Sequence, residues 1–228
     1  MNRLRFVDYR IEGWRIILGQ GVCIRNPQSA IEAMILEGIV TTVSSAGEVN
    51  IAPMGPRVSD EGGELERFVL RPFRTAQTWR NLQEHGEGVL HVTDDVLLLA
   101  RAALGPVEPP PPLFAAARVR GWVLRDACRY HEFRVVARDD RAERSELTAE
   151  VVHSGRLRDF FGLNRAMHAV VEAAILATRT ALLPLDDIEA EYRRLAVLVE
   201  KTGGPRERAA FALLQQYVAQ QRTLAQRS

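Results

Sequence analysis

One switch of period constrains this chain more than any other feature. From Met34 to Gly155 the apolar residues come in short β-rich runs broken by turn residues, whereas from Asn164 they recur at helical spacing through "NRAMHAVVEAAILATRTALL", "LDDIEAEYRRLAVLVEKTGG" and "PRERAAFALLQQYVAQQR". Side chains alternate across a strand but line one face of a helix at three- and four-residue steps, so the two halves cannot share one architecture. The expected fold class is α+β: a β-barrel-like half over 34–160, then a C-terminal helical region over 161–228, both behind an N-terminal extension of 1–33.

Within the β half, "MILEGIVTTVSSAGEVNIAPMG" reads as two strands joined by a Ser-Ser-Ala-Gly turn, a hairpin. A polar connection leads to a third strand, "LERFVLR". The run "RTAQTWRNLQEHG" is then a helix with Thr75 as its N-cap and Gly86 as its stop, and "EGVLHVT" is a fourth strand. "DDVLLLARAALG" is a short apolar helix capped by Asp94 or Asp95. The proline-rich "PVEPPPPL" can continue neither helix nor sheet, and "RVRGWVLRDACRYHEFRVVARDD" and "SELTAEVVHSG" supply further strands. Before Ala33 no period is sustained, so residues 1–33 are expected to be dispensable and Met34 to start the functional unit. Against that, Trp14, Ile16, Ile17 and Leu18 can add an edge strand.

Composition excludes several classes of function. Thirty basic residues against 29 acidic ones leave a formal charge of +1, so no overall field recruits nucleic acid or a membrane surface. Lys201 is the only lysine, which makes the arginines a chain-wide bias and lowers the weight of any one arginine cluster. Cys23 and Cys128 form no CxxC pair and point to a reducing, cytoplasmic setting, and neither a transmembrane run nor a signal-peptide core is apparent. The Cys128–His131 spacing, His153, and His168 with Glu172 do not make the closed ligand set of a structural zinc site, so no metal is expected. No Gly-x-Ser-x-Gly elbow supports a nucleophilic serine. The Gly-x-Gly of "GQGVCIRNPQS" lacks the rest of a dinucleotide fingerprint.

The stretch "LRPFRTAQTWRNL" is the richest in chemistry. Arg71 and Arg74 offer charge-assisted donors, Thr75 and Thr78 offer hydroxyls, and the first turn of a helix offers unsatisfied amides, which together suit a terminal phosphate. The competing reading is a capped helix with solvated arginines. In "NIAPMG", Pro53 and Gly55 either end an edge strand or let a flat ring approach the backbone. Arg165, His168, Glu172 and Arg179 share one face of a helix, as a ligand-facing stripe or as an exposed one. His91, mid-strand, is a core imidazole or a catalytic acid.

The order of hairpin, strand, phosphate-type turn, helix and strand resembles the FMN-binding split-barrel flavoproteins. More specifically, "ILEGIVTT", "NIAPMG", "RPF", "TDD", "VVHSGR" and "LNRAMHAVVEAAILATR", from about Met34 to about Pro184, are similar to domain-of-unknown-function family 447. The resemblance implies a flavin-reductase-like split barrel that binds FMN and forms a homodimer with the flavin near the subunit interface. It implies no particular substrate. Carried onto this chain, it makes cofactor contacts of Arg71, Pro72, Phe73, Arg74, Thr75, Thr78 and Asn81 at the phosphate turn, and of Asn50, Ala52, Pro53, Met54 and Gly55 along the flavin ring. Thr41, Thr42, Asn164, Arg165 and His168 join that set, with His168 and His91 as candidate proton donors. Two functions follow. One is an oxidoreductase passing hydride or electrons from a reduced nicotinamide or deazaflavin to a small acceptor, by analogy a pterin-linked one. The other is a non-catalytic FMN-binding carrier, sensor or assembly partner.

Overall fold

The computed structural model describes residues 10–11, 14–15, 33–59 and 64–226. The chain divides into two compact units, Met1–Ile31 and Glu32–Ser228. In the first, Arg10–Ile11 (β1) pairs antiparallel with Trp14–Arg15 (β2). The rest of the strand expected at Trp14–Leu18, and most of the extension expected to be dispensable, lie outside the described residues.

The second unit is built on a hairpin that bends. Ala33–Ile35 (β3) runs through Leu36 and Glu37 into Gly38–Val43 (β4), and Val49–Met54 (β5) runs through Gly55 and Pro56 into Arg57–Ser59 (β6). Register is continuous across the bend: Met34 faces Val58, Leu36 donates its N–H to Pro56 O at 3.0 Å, and Gly38 faces Met54. One half of the hairpin pairs with Arg67–Leu70 (β7), the other with Glu87–Val92 (β8). Between β7 and β8 lie Arg129–Asp139 (β11) and Glu146–Arg156 (β12), giving the order β3-β6-β7-β12-β11-β8-β4-β5. Both ends of that order belong to the same hairpin, so the sheet curls back on itself as a barrel. At the bend Gly55 permits a close approach, since a Cβ there would stand 2.6 Å from Cγ2 of Ile35.

Inside the curl, Val40, Val58, Phe68, Leu70, Leu90, Phe133, Leu147 and Ala149 form one cluster, with Phe68 edge-on to Phe133 at 5.2 Å. Helix α1 (Gln77–His85) inserts Leu82 into this cluster and so crosses one end of the barrel; it stops at Gly86, whose left-handed φ of 64° lets its N–H reach Leu82 O. Thr75 is not the cap. The N-cap position is Ala76, with no side-chain bond, because the turn tightens through Ala76 N–H to Phe73 O before the helix begins.

The outer face of β4 and β5 presents Ile39 and Ile51 to a helical layer made of α2 (Val96–Leu104), α3 (Arg165–Ala177), α4 (Leu185–Thr202) and α5 (Pro205–Ala225). Alanines 166, 169, 173, 174 and 177 form the buried face of α3, and Tyr192 of α4 stacks on Phe211 of α5 while donating to Ala173 O. Asp95 caps α2 by accepting from Leu98 N. Barrel and helices therefore share a core and one compact unit.

A second hairpin, Leu113–Ala115 (β9) with Trp122–Leu124 (β10), covers the outside of β8 and β11 over Val89, Val119, Val123 and Tyr130. Glu132, fully buried on β11, anchors the loop between these two strands: its carboxylate accepts from the backbone N–H groups of Ala117, Arg118 and Val119 at 2.8, 2.6 and 3.2 Å. Opposite Tyr130 sits Gly155, where a Cβ would come within 2.2 Å of the phenol ring.

Candidate functional site

The phosphate-type turn lies where β7 leaves the barrel. It is braced by the loop joining β11 to β12: Arg74 N–H donates to Glu143 O, Ser145 N–H to Pro72 O, and the Arg144 guanidinium covers the Phe73 ring at 3.9 Å. Asp140 in the same loop accepts from Trp79 Nε1 at 3.2 Å and from the Ser145 hydroxyl. Those bonds hold its carboxyl below the usual range, the serine bond being the largest cause. Arg144 was invisible to motif reasoning, since a separation of 73 residues from Arg71 carries no local signal.

Donors at the turn divide into committed and open ones. Arg71 faces Glu146 at 3.1 Å. Arg74 bonds Asp140 O at 3.3 Å and lies over Trp79, yet its side chain is exposed, as is Thr75. Helix α1 starts with no side-chain cap and no acidic residue in its first turn, so its own residues leave the positive end uncompensated beside Arg74, and the Asp140 carboxylate reaches it only through Trp79 Nε1. An oxyanion is the natural complement.

Thr42, Asn50, Thr78 and Asn81 fasten that helix to the hairpin. Asn50 Nδ2 donates to Thr78 Oγ1 at 3.0 Å and Thr42 Oγ1 at 3.3 Å, and Asn81 Nδ2 donates to Thr42 Oγ1 at 3.0 Å. Gln77 completes the network through Asn81 Oδ1. Thr41, wholly buried, gives its hydroxyl to Trp122 O at 2.5 Å. The two threonines thus spend their oxygens inside the protein.

From Asn50 the candidate ring contacts Ala52, Pro53, Met54 and Gly55 follow β5, half-buried throughout. Pro53 does not break the strand, because β5 is the last strand in the order and the missing N–H leaves no partner wanting on its outer side. The six-residue walk from Asn50 to Gly55 spans roughly 17 Å at strand rise. At its far end Gly55 lies beside Glu37, whose carboxyl is pushed up by burial and then by the neighbouring Glu172 charge. That neighbour is on the polar stripe of α3, so the structure brings "NIAPMG" and the stripe to the same side.

On the stripe, Arg165, His168 and Glu172 are exposed. Asn164 is the α3 cap: its oxygen accepts from Ala166 N at 2.7 Å and its amide donates to Thr202 O. His91 is committed as well. Fully buried, it bonds Ile39 O through Nδ1 at 3.1 Å and accepts Leu124 N–H at Nε2 at 3.0 Å, and burial first of all lowers its pKa to about 4. A neutral ring with both nitrogens used has none left for a substrate.

Asp94, of the "TDD" motif, receives the Arg158 guanidinium and the Phe161 N–H. The Arg158 bond is the largest cause holding its carboxyl down at about 2. The effect is to pin residues 158–163, which present Phe161 and Leu163 to solvent at 90% and 88% exposure. Among the described residues no three His, Cys, Asp or Glu side chains converge on a metal position, and no helix is long and apolar enough to cross a membrane.

Among solved structures, an FMN-bound protein from Methanosarcina mazei is 23% identical, covers 82% of this chain and 96% of its own, and superposes with a TM-score of 0.69. A flavin reductase domain protein from Arthrobacter sp. FB24 (16% identical, 57% and 80% covered, TM-score 0.47) and flavoredoxin from Methanosarcina acetivorans (14%, 60% and 76%, TM-score 0.45) are more distant. The protein from Methanosarcina mazei shares the α+β split-barrel fold of this chain. Two family models match in tandem, the "Protein of unknown function (DUF447) N-terminal domain" over residues 36–158 and "Protein of unknown function (DUF447)" over 164–216, the latter running past Pro184. With more than half its length matched, the chain belongs to the DUF447 family.

Proposed function

We propose that this protein is an FMN-binding flavoprotein, with the phosphate at the start of α1 and the ring towards the Gly55 end of β5. One observation carries the reading: β5 joins an uncapped, acid-free helix start beside exposed Arg74 and Thr75 to a half-buried strand ending near the α3 stripe, over a span comparable to an extended FMN. That the family member from Methanosarcina mazei is FMN-bound supports it. In this arrangement Arg74, Thr75 and the α1 amides bind the phosphate, and β5 orients the ring. The Thr42–Asn50–Thr78–Asn81 network keeps the two at fixed distance. The flavin supplies two-electron and one-electron chemistry when bound. The reaction class is hydride or electron transfer from a reduced nicotinamide or deazaflavin to a small acceptor, a pterin-like one by family analogy.

Purified protein is expected to bind one FMN, and FAD no better, with the flavin reduced by NADH or NADPH and reoxidised by an acceptor faster than free FMN. The Arg74→Ala, Thr75→Ala double variant should weaken FMN binding by about 3 kcal/mol, as loss of charged and neutral phosphate bonds requires. Fluorescence titration tests this, and undiminished affinity would move the phosphate elsewhere. Binding without any reduction would leave a carrier, sensor or assembly role.

The working unit is a homodimer in this reading. Phe160, Phe161, Leu163 and Leu157 form an exposed apolar run, and Val152 and Trp122 are exposed as well, more than a solitary chain ordinarily leaves open. Light scattering at low micromolar concentration should give the dimer mass with flavin bound; a stable flavin-loaded monomer would refute it.

A further inference from the structure

Among the described residues, nothing closes the end of the barrel opposite α1. A cleft of about 730 Å³ enters there, between the β3–β6 end of the hairpin and the paired ends of β11 and β12. One wall is apolar, made by Leu36, Val58 and Val92. The other is a square of four side chains set by strand register, with Arg129 opposite Arg156 and His131 opposite Ser154, all lining the cleft. Residues two apart on a strand share a face, so this square continues the inward face that carries Phe133 deeper in the barrel.

Three observations mark it as more than a dent. Like charges directly opposite on paired strands repel, yet Arg129 faces Arg156, and Arg129 has no ion pair among the described residues. Among the described residues, Arg156 pairs only with the exposed Asp159. His131 is 8% exposed, its Nδ1 is 2.9 Å from Ser154 Oγ, and its Nε2 has no partner among the described residues. Burial first, then the Arg129 charge, lowers the pKa of this imidazole, so it stays neutral at pH 7. In the tautomer that accepts the Ser154 hydroxyl at Nδ1, the ring carries its proton on Nε2 and offers it to the cleft. Glu64 and Glu66 also line the cleft, and Glu64 is near enough to raise the His131 pKa in part. Their charges disfavour a dianion such as phosphate and leave a singly charged anion as the better fit.

We propose that the open barrel end binds a small monocarboxylate with an apolar body. Arg129, Arg156 and His131 Nε2 hold its carboxylate, and Leu36, Val58 and Val92 its body. The site is separate from the phosphate turn, which lies across the barrel at α1, and does not depend on the flavin reading.

Titration calorimetry on the full chain, with benzoate as probe, tests the site alongside the ring-proton NMR signals of His131. Benzoate should bind at one equivalent and shift the His131 signals, while uncharged benzamide and inorganic phosphate bind at least tenfold more weakly. Arg129→Ala, an exposed position, should weaken benzoate about tenfold without lowering the melting temperature. Saturating FMN should leave benzoate affinity unchanged. The proposal is overturned by no heat and no His131 shift at millimolar benzoate, by an unaltered affinity in Arg129→Ala, by phosphate binding as well as benzoate, or by competition from FMN.

Discussion

Acidification from pH 7 to pH 4 should destabilise this fold by roughly 3 kcal/mol through His91 alone. Its ring is wholly buried, with Nδ1 on Ile39 O and Nε2 receiving Leu124 N–H, and its pKa falls to about 4. A second proton would set two N–H donors face to face between β10 and the imidazole. Because the folded value lies below the ordinary one near 6.5, the native state binds fewer protons than the unfolded chain. The stabilisation is full above about pH 6.5 and is lost as pH falls towards about 4, at about 1.4 kcal/mol for each tenfold in proton affinity. His131, also lowered, adds a smaller loss of the same sign. Asp94 acts in a separate window, since its depressed carboxyl loses its contribution only between about 3.8 and about 2. Urea unfolding measured at intervals from pH 7 to 4 should therefore slope downward, and His91→Gln should flatten most of that slope. A flat wild-type profile would show that the ring is not held neutral.

Glu132→Ala should remove about 3 kcal/mol of stability. A hydrogen bond to a charged group contributes about 1.5–3 kcal/mol, and Glu132 accepts three. The full sum is not expected, because the amides of the exposed Ala117 and Arg118 can turn to water while that of buried Val119 cannot. Glu132→Gln keeps the volume but points an amide NH₂ at backbone donors, so its loss should fall between wild type and Ala. Chemical denaturation of the three proteins decides it: a loss below about 1 kcal/mol for Ala would mean that the loop holds itself.

Sequence reading found the parts whose physics is local. The first hairpin, the Gly86 stop, an aspartate cap at 94 or 95 that the structure places at Asp95, and the helices after Asn164 follow from period, turn chemistry and capping. Thr75 failed as a cap because the Phe73–Ala76 turn set the helix start one residue later, at an alanine that carries no capping signal. The β9–β10 hairpin escaped because its three-residue strands are too short to show alternation after a proline run. Glu132 lies in a charged stretch, "RYHEFR", that reads as half solvent-facing; only the loop 15 residues upstream explains its burial. At the candidate site the donors of the turn, Arg71, Arg74, Thr75 and Thr78, were legible as residue types close in sequence. The Thr42–Asn50–Thr78–Asn81 network, joining residues up to 39 apart, was not, and neither was the Arg129–Arg156 register that lines the other end.

The bent hairpin closes the barrel through two narrow seams, two residue pairs from β6 to β7 and three from β4 to β8. Forming the hairpin itself is inexpensive in chain entropy, since its strands are neighbours. Engaging the β8 seam requires a loop of about fifty residues to close, and the order β7-β12-β11-β8 that the hairpin must span is complete only once the chain has been made through Arg156. A nascent chain therefore carries its clasp long before it has anything to fasten. Until β12 arrives, the apolar face of that clasp, Val40 and Val58 included, has no lumen to enter, and the helices after Asn164 come later still to cover its outer side.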